Sequence, residues 1–422
     1  MGKYNLSFLL RDFLLLFMGL AFISMNRSLA EIGITSLALF AASFFLLHII
    51  TENNKILLLI YTMYSLLAVP LICYGLDKLL ILSIYIAVYN LIMLVIVIIK
   101  IILQAIAPSS DNTSVFIILL ETFRLLLCVF LSTLYFVFGL NHPFISILSG
   151  IYAVILALYH LSNGEIFKFI KFNKRPIFLG YPLIFDIPLP YLYKSKIDKV
   201  IARSDRKHGR SKYIESLTWV NPERDNLDIV DKADNIIKIQ IVTGNSPIDI
   251  VGHTAVTYQG KTYTYGNHDA NARHLFGMIG EGVLLASNAE DMESFNKRLF
   301  ACVFEYEIFM EDEALKAFQE HLVYLQSETV SWEPSDSQNK RRYAGVVNRT
   351  TDTKFFKYDS GIYKYYFFLG TNCAWIENRA LNQSSIPNMF LLGVPLPGTV
   401  FYILEQEIGK SKTCIMSRRV IY

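Results

Sequence analysis

The sequence predicts two parts of different class: an all-α transmembrane bundle of about six helices, then an α+β soluble domain. Three observations predict this. The chain has 422 residues, of which 53% are hydrophobic and only 18% charged, against about 25% charged in soluble domains. Its mean hydropathy is +0.38. The apolar residues are also unevenly placed: they run almost unbroken to about 162, whereas the chain after about 195 has ordinary soluble composition. The expected divisions are a polytopic transmembrane domain over 1–162, a basic juxtamembrane linker over 163–235 and a soluble domain over 236–422.

A bilayer-spanning helix needs about 20 mainly apolar residues. Six runs qualify, roughly 7–25, 31–50, 56–75, 79–106, 115–140 and 143–162, separated by polar breaks such as Asn26-Arg27 and Asp77-Lys78. The first run has no small-residue cleavage pattern after it and reads as a retained span, not a signal peptide. Twelve Lys and Arg lie between Lys168 and Lys212 with few acids among them, which places that segment in the cytoplasm. The expected localisation is a multi-pass integral membrane protein, with the lipid bilayer as partner and the soluble domain cytoplasmic. Topology accounts for the basic run, so nucleic acid is not an expected partner. Glu121 and Arg124 are three apart in the fifth run. They share a helix face and read as a helix-orienting ion pair or as functional intramembrane charges. The sequence carries no selectivity filter, no Arg-rich voltage-sensor repeat and no duplicated half. Anchoring is the simpler role for this part.

In the linker, the proline-rich 181–191 reads as extended chain and 204–212 as a flexible loop. The soluble domain opens with an alternating strand over 236–244. A hairpin follows over 251–268, rich in Thr, Val and Tyr, with Gln259-Gly260 as its turn. That turn sets Tyr258 opposite Lys261 and His253 opposite Gly266, and puts His268 on the face of His253. Residues 276–284 form a Gly-rich loop into a strand, without phosphate-binding spacing. Residues 298–310 make a strand. Residues 311–327 make a helix, with an acidic first turn and Leu315, Phe318, Leu322 and Leu325 at helical spacing. Residues 330–345 read as loop, 363–369 as an aromatic strand, 374–381 as a helix and 400–404 as a last strand.

The five cysteines are Cys73, Cys128, Cys302, Cys373 and Cys414; none forms a CxxC pair, and an odd count is no disulfide framework. Cys73 and Cys128 lie in apolar runs, and Cys302 and Cys414 read as small buried hydrophobes. Cys373 differs, because it ends an aromatic run and opens a helix. A thiolate at a helix start, with an imidazole on a neighbouring strand, makes a nucleophile site. Asn372 can cap that helix or donate to an oxyanion. His253 is the candidate base, and His268 or Asn267 the group that fixes its tautomer. His274 and His321 read as surface or packing residues. His253, His268 and Cys373 are also ligand types that suit zinc, but closely spaced acidic ligands are missing. Neither a metal nor a cofactor is expected.

Gly252-His253-Thr254-Ala255-Val256, then Tyr263-Thr264-Tyr265-Gly266, then a distant Asn372-Cys373 after an aromatic strand, resembles the circularly permuted NlpC/P60 branch of the papain-like fold. The resemblance covers about 236–405 and rests on short motifs. It implies a papain-like α+β domain with Cys373 as nucleophile, His253 as base and a polar third residue, His268 or Asn267. The third position departs from a clear pattern. Members are cysteine peptidases, amidases or acyl-transferring enzymes. The expected function is therefore a membrane-anchored thiol hydrolase or acyltransferase. From a cytoplasmic position it would act on an amide or ester of a lipid, protein or peptide; from a periplasmic one, a cell-wall peptide amide would be the better substrate. The alternative is a non-enzymatic membrane sensor or transport protein whose papain-like domain only binds ligand.

Overall fold

The structure is a computed structural model. It describes residues 3–51, 55–74, 76–106, 122, 125–126, 129–161, 171–172, 175–178, 189–203, 208–222, 234–244, 250–299, 302–334, 340, 342–381, 386, 389–390, 395–408 and 413–422. The chain divides into two compact units. One is Met1–Ile98 with Leu120–Ile170, the other Ile99–Leu119 with Lys171–Tyr422.

The apolar runs form α1 (Lys3–Ile23), α2 (Arg27–Thr51), α3 (Lys55–Ile72), α4 (Lys78–Ile106) and α5 (Pro143–Leu161). Two of the polar breaks are caps. Asn26 Oδ1 accepts from the Leu29 N–H, and Asp77 Oδ1 from the Leu79 and Leu80 N–H groups. Each satisfies donors that a helix start leaves open. In the first unit α1 and α5 cross at a glycine pair: a Cβ on Gly150 would sit 2.6 Å from the Gly19 carbonyl oxygen. Met18, Phe22, Ala30, Ile34, Leu140 and Ile145 belong to the core there.

The expected six-helix transmembrane bundle, and the multi-pass localisation with it, is corrected. Among the described residues one helix, Lys78–Leu103, is long and apolar enough to cross a membrane, with a mean hydropathy of 2.8. Asp12–Ile23 and Pro143–Leu158 are apolar but shorter. A span needs about 20 unbroken apolar residues. Arg11 and Asp12 cut the first run, and Asp12 is itself buried among helices. Glu121, Arg124 and Cys128 lie outside the described residues.

The second unit is built on a nine-stranded sheet, which further separates the architecture from a helical bundle. Its elements are β1 (Lys171–Phe172), β2 (Arg175–Phe178), α6 (Leu189–Arg203), α7 (His208–Ser216), β3 (Trp219–Val220), β4 (Ile236–Thr243), β5 (His253–Tyr258) and β6 (Lys261–Gly266). Then come β7 (Ile279–Glu281), β8 (Val283–Asn288), α8 (Ala289–Arg298), β9 (Cys302–Phe309), α9 (Asp312–Ser327), β10 (Thr329–Trp332), α10 (Tyr343–Thr350) and β11 (Lys354–Tyr358). The last are β12 (Tyr365–Phe367), α11 (Ala374–Ala380), β13 (Met389–Phe390), α12 (Pro397–Glu407) and β14 (Ile415–Ile421). The large sheet runs β10-β11-β8-β6-β5-β4-β9-β14-β3, and every pairing in it is antiparallel.

Several sequence expectations change here. The linker is not merely extended chain and loop: α6 begins just after Pro188, with Pro190 tolerated in its first turn, and α7 covers His208 to Lys212. Residues 330–345 contain the end of β10 and the start of α10. The expected strand over 400–404 lies inside α12, where Pro397 occupies the first turn. The last strand is β14 instead.

Paired residues in a ladder share a face, and neighbours along a strand alternate. The register therefore sorts the sheet into two faces. Ile241 pairs with Thr254, Ile239 with Val256, and Val256 with Tyr263. Thr254, Val256, Tyr258, Tyr263 and Tyr265 thus share a face with the β4 isoleucines, and α6, α9, α11 and α12 cover it. Phe401 of α12 meets Phe304 at 4.9 Å between ring centroids, and Phe318 of α9 meets Tyr258 at 5.6 Å. Val242 pairs with His253, Gln240 with Ala255, Thr257 with Thr262 and Thr264 with Leu285. These residues face the other way. Toward β8 and β11 that face is covered by α8 and α10, through Met292, Phe295, Ala344 and Val347.

Candidate functional site: a buried thiol and two histidines

The hairpin turns as the sequence demands. Gln259 and Gly260 both have positive φ, 46° and 72°, as a two-residue hairpin turn of the twist-compatible kind requires. Tyr258 pairs with Lys261, the register expected from that turn. It brings His253 and His268 together, with ring centroids 6.1 Å apart and nearly perpendicular. It does not bring His253 to Cys373.

His253 Nε2 is hydrogen-bonded to Thr264 Oγ1, and that hydroxyl donates to the Thr254 carbonyl at 3.2 Å. A hydroxyl has one hydrogen to give. With it committed to Thr254, Thr264 accepts from His253, which sets the imidazole as the Nε2–H tautomer. His268 is buried and stacks on Tyr343 at 5.4 Å. Its Nε2 has no hydrogen-bond partner among the described residues. Burial, then the neighbouring His253 and Arg273, hold its pKa well below the usual imidazole range, so it is neutral at pH 7. Asn267 turns elsewhere: its amide donates to the Gly277 carbonyl, and its own carbonyl accepts from Arg273 Nε at 2.8 Å. It ties down the loop after β6.

Cys373 sits on the opposite face of the sheet. The chain leaves β12, turns through Phe367–Thr371 and enters α11. The carbonyl oxygen of the Asn372 side chain accepts from the Ala374 N–H at 2.9 Å. Its amide donates to the Phe368 and Pro395 carbonyls, at 2.8 Å each. Asn372 is thus a cap, and with both amide hydrogens engaged it has none to offer an oxyanion. Cys373 itself is free and buried, 3% exposed. Burial pushes its thiol up. The Thr254 hydroxyl and the backbone N–H groups of Thr254, Ala374 and Cys373 pull the other way, because each favours the thiolate.

Glu377 is one helical turn beyond Cys373, so the two share a helix face. It is fully buried and accepts from Thr254 Oγ1 at 2.8 Å through Oε2. Its Oε1 has no partner among the described residues. Burial first, and Cys373 second, push its carboxyl up to about 8, against the pull of Thr254 and His253. Tyr265, buried, and Tyr366, half-buried, complete the surroundings; burial and the Cys373 thiol both raise the pKa of their phenols. The sequence reading missed Glu377 and Thr254. The signal for the first was its spacing from Cys373 on the predicted helix. For the second it was strand alternation, which turns Thr254 to whichever face His253 leaves.

Cys302 shows what burial alone does. It is buried on the same face, near Lys194 and Asp198, and burial pushes it to about 12. Of the other cysteines, Cys73 is exposed and Cys414 half-buried. Among the described residues no three His, Cys, Asp or Glu side chains converge as a metal site would require; His253 and His268 lie on one face of the sheet and Cys373 on the other. Comparison with known proteins returned no match among family models, curated proteins or solved structures.

Proposed function

We propose that the second unit is a thiol-dependent hydrolase or acyltransferase acting on an amide or ester of a lipid, protein or peptide, with Cys373 as nucleophile. The observation that carries this reading is the set of groups around the sulfur. A cysteine that only fills space needs no N–H groups around its sulfur, and Cys302 lacks the equivalent. At Cys373 the backbone N–H groups of Thr254, Ala374 and Cys373 favour a thiolate. The His-then-Cys order of the permuted papain-like pattern supports the same reaction class. His253 is the base that the pattern implies. In the described arrangement its Nε2–H is held by Thr264 on the opposite face, so the proposal rests on Cys373. A lipid bilayer is proposed as partner through the Lys78–Leu103 helix.

Cys373→Ala tests the reading. The variant should keep the melting temperature of the wild type and lose both acylation by an activated ester and labelling by a thiol probe at residue 373. Unchanged ester turnover in that variant would sink the proposal.

A further inference from the structure

From the contacts near the end of α4 we propose that Lys100 is a positioning residue for Cys373: it grips both ends of the segment 370–375 and holds the thiol in place. This rests on the reading of Cys373 as nucleophile. Lys100 lies in the part of α4 that belongs to the second unit. Its side chain is buried, 3% exposed. The stem lies on Gly370: a Cβ there would sit 2.7 and 2.9 Å from Lys100 Cγ and Cδ, so a larger residue would push the lysine away. The ammonium sits over the Trp375 ring, 4.6 Å from its centroid.

Gly370 and Trp375 stand on either side of Cys373 in the chain. The backbone hydrogen bonds of this stretch are local. The Gly370 N–H donates to the Phe367 carbonyl at 2.8 Å, the Asn372 N–H to Gly370 at 3.1 Å and the Trp375 N–H to Asn372 at 3.1 Å. Such bonds shape a turn without fixing where it stands in the fold. The Asn372 amide, donating to the Pro395 carbonyl, fixes one point. Lys100 fixes a point before the thiol and another after it. Residues two apart at a helix do not face each other, so the indole and the sulfur leave this segment on different sides. Lys100 therefore acts on the thiol through the backbone that joins them.

The residue type fits that role. Burying an ammonium is costly unless its charge is met, and the Trp375 face is among the groups that meet it. Methionine or leucine would fill the space without that cost. What the charge adds is direction. A cation is drawn to the face of an aromatic ring, so Lys100 sets the plane of the indole and with it the first turn of α11. A reacting atom misplaced by about 1 Å can cost about 100-fold in rate, which gives a clamp on this loop its leverage. The helix of membrane-crossing length, Lys78–Leu103, thus includes the residue that holds the nucleophile loop.

The test uses the full chain and p-nitrophenyl butyrate, following the burst of nitrophenol and the mass of the adduct at Cys373. Lys100→Met keeps the stem and removes the charge; it should slow acylation about tenfold. Lys100→Arg keeps a cation over the ring and should stay within about threefold of wild type. Trp375→Leu removes the ring face and should also cost about tenfold. Because the two side chains act as one clamp, the Lys100→Met, Trp375→Leu double variant should be no slower than either single one. A role in stability alone would lower the melting temperature and leave the acylation rate of the folded protein unchanged. A wild-type rate in folded Lys100→Met would overturn the clamp, as would single effects that multiply in the double variant. Absence of any adduct at Cys373 in the wild type would instead overturn the reading of the site, and the clamp with it. Should Lys100→Met not fold, Trp375→Phe decides: with a ring face kept under the ammonium, it should acylate several-fold faster than Trp375→Leu, and equal rates in the two would contradict the clamp.

Discussion

The two faces of the central sheet, separated by one residue of strand alternation, carry chemistry of opposite sign. On the face of Thr254, a thiol and a carboxyl are buried together, burial raises both, and the thiol raises the carboxyl further. On the face of His253, two imidazoles lie 6.1 Å apart, and the buried one is kept neutral. Both arrangements disfavour charge through burial. The acid is held protonated above its ordinary range and the base is held deprotonated below its own. The lesson is that adjacent residues in a strand, His253 and Thr254, belong to different sites.

The comparison yields two opposite pH slopes in stability. Glu377 titrates at about 8 folded and near 4.5 unfolded. Between those values the unfolded chain releases a proton that the folded chain holds. Its contribution is fully present below pH 4.5 and is lost as pH rises to about 8. Integrated, that is up to about 5 kcal/mol. Glu377→Gln keeps an acceptor for Thr254 and should remove the slope, leaving the variant several kcal/mol more stable than wild type at pH 8 and similar near pH 4.5. Urea midpoints at the two pH values measure it; equal gains at both would show that Glu377 is ionised in the fold.

The histidine face should give a smaller effect of the other sign. His268 has a folded pKa well below its unfolded 6.5. Its contribution is present above pH 6.5 and is lost as pH falls, by about 2 kcal/mol at pH 5. Phe at this position keeps the stacking on Tyr343, so His268→Phe should flatten stability between pH 6.5 and 5. An unchanged acid limb would show that His268 protonates in place.

Much of this was legible in the sequence. The Gln259-Gly260 turn fixed the hairpin register, and that register placed His253 and His268 side by side. The periodicity of Leu315, Phe318, Leu322 and Leu325 marked the buried side of α9. Other features depended on context. Thr399, Val400, Phe401, Tyr402 and Ile403 favour strand locally, yet all are buried in α12: packing on Phe304 and Tyr306 outweighs propensity. The strand β14 contains Arg418-Arg419, an unlikely pair until Glu405 meets Arg418 and Glu305 meets Arg419. Apolarity in the first 162 residues did not give the number of membrane crossings, and many large side chains there, Phe13, Leu66 and Val95 among them, are exposed. At the site, a His and a Cys looked like partners because their residue types suit one another. Which face each one occupies is set by strand alternation and by where α11 docks.

The most direct measurement is the rate of Cys373 acylation in His253→Gln. If the thiol works with the groups of its own face, that rate stays within about threefold of wild type, while loss of a true general base would lower it by about 100-fold or more. A drop of that larger size, with stability unchanged, would contradict the account and show that the His253 ring reaches the thiol during the reaction.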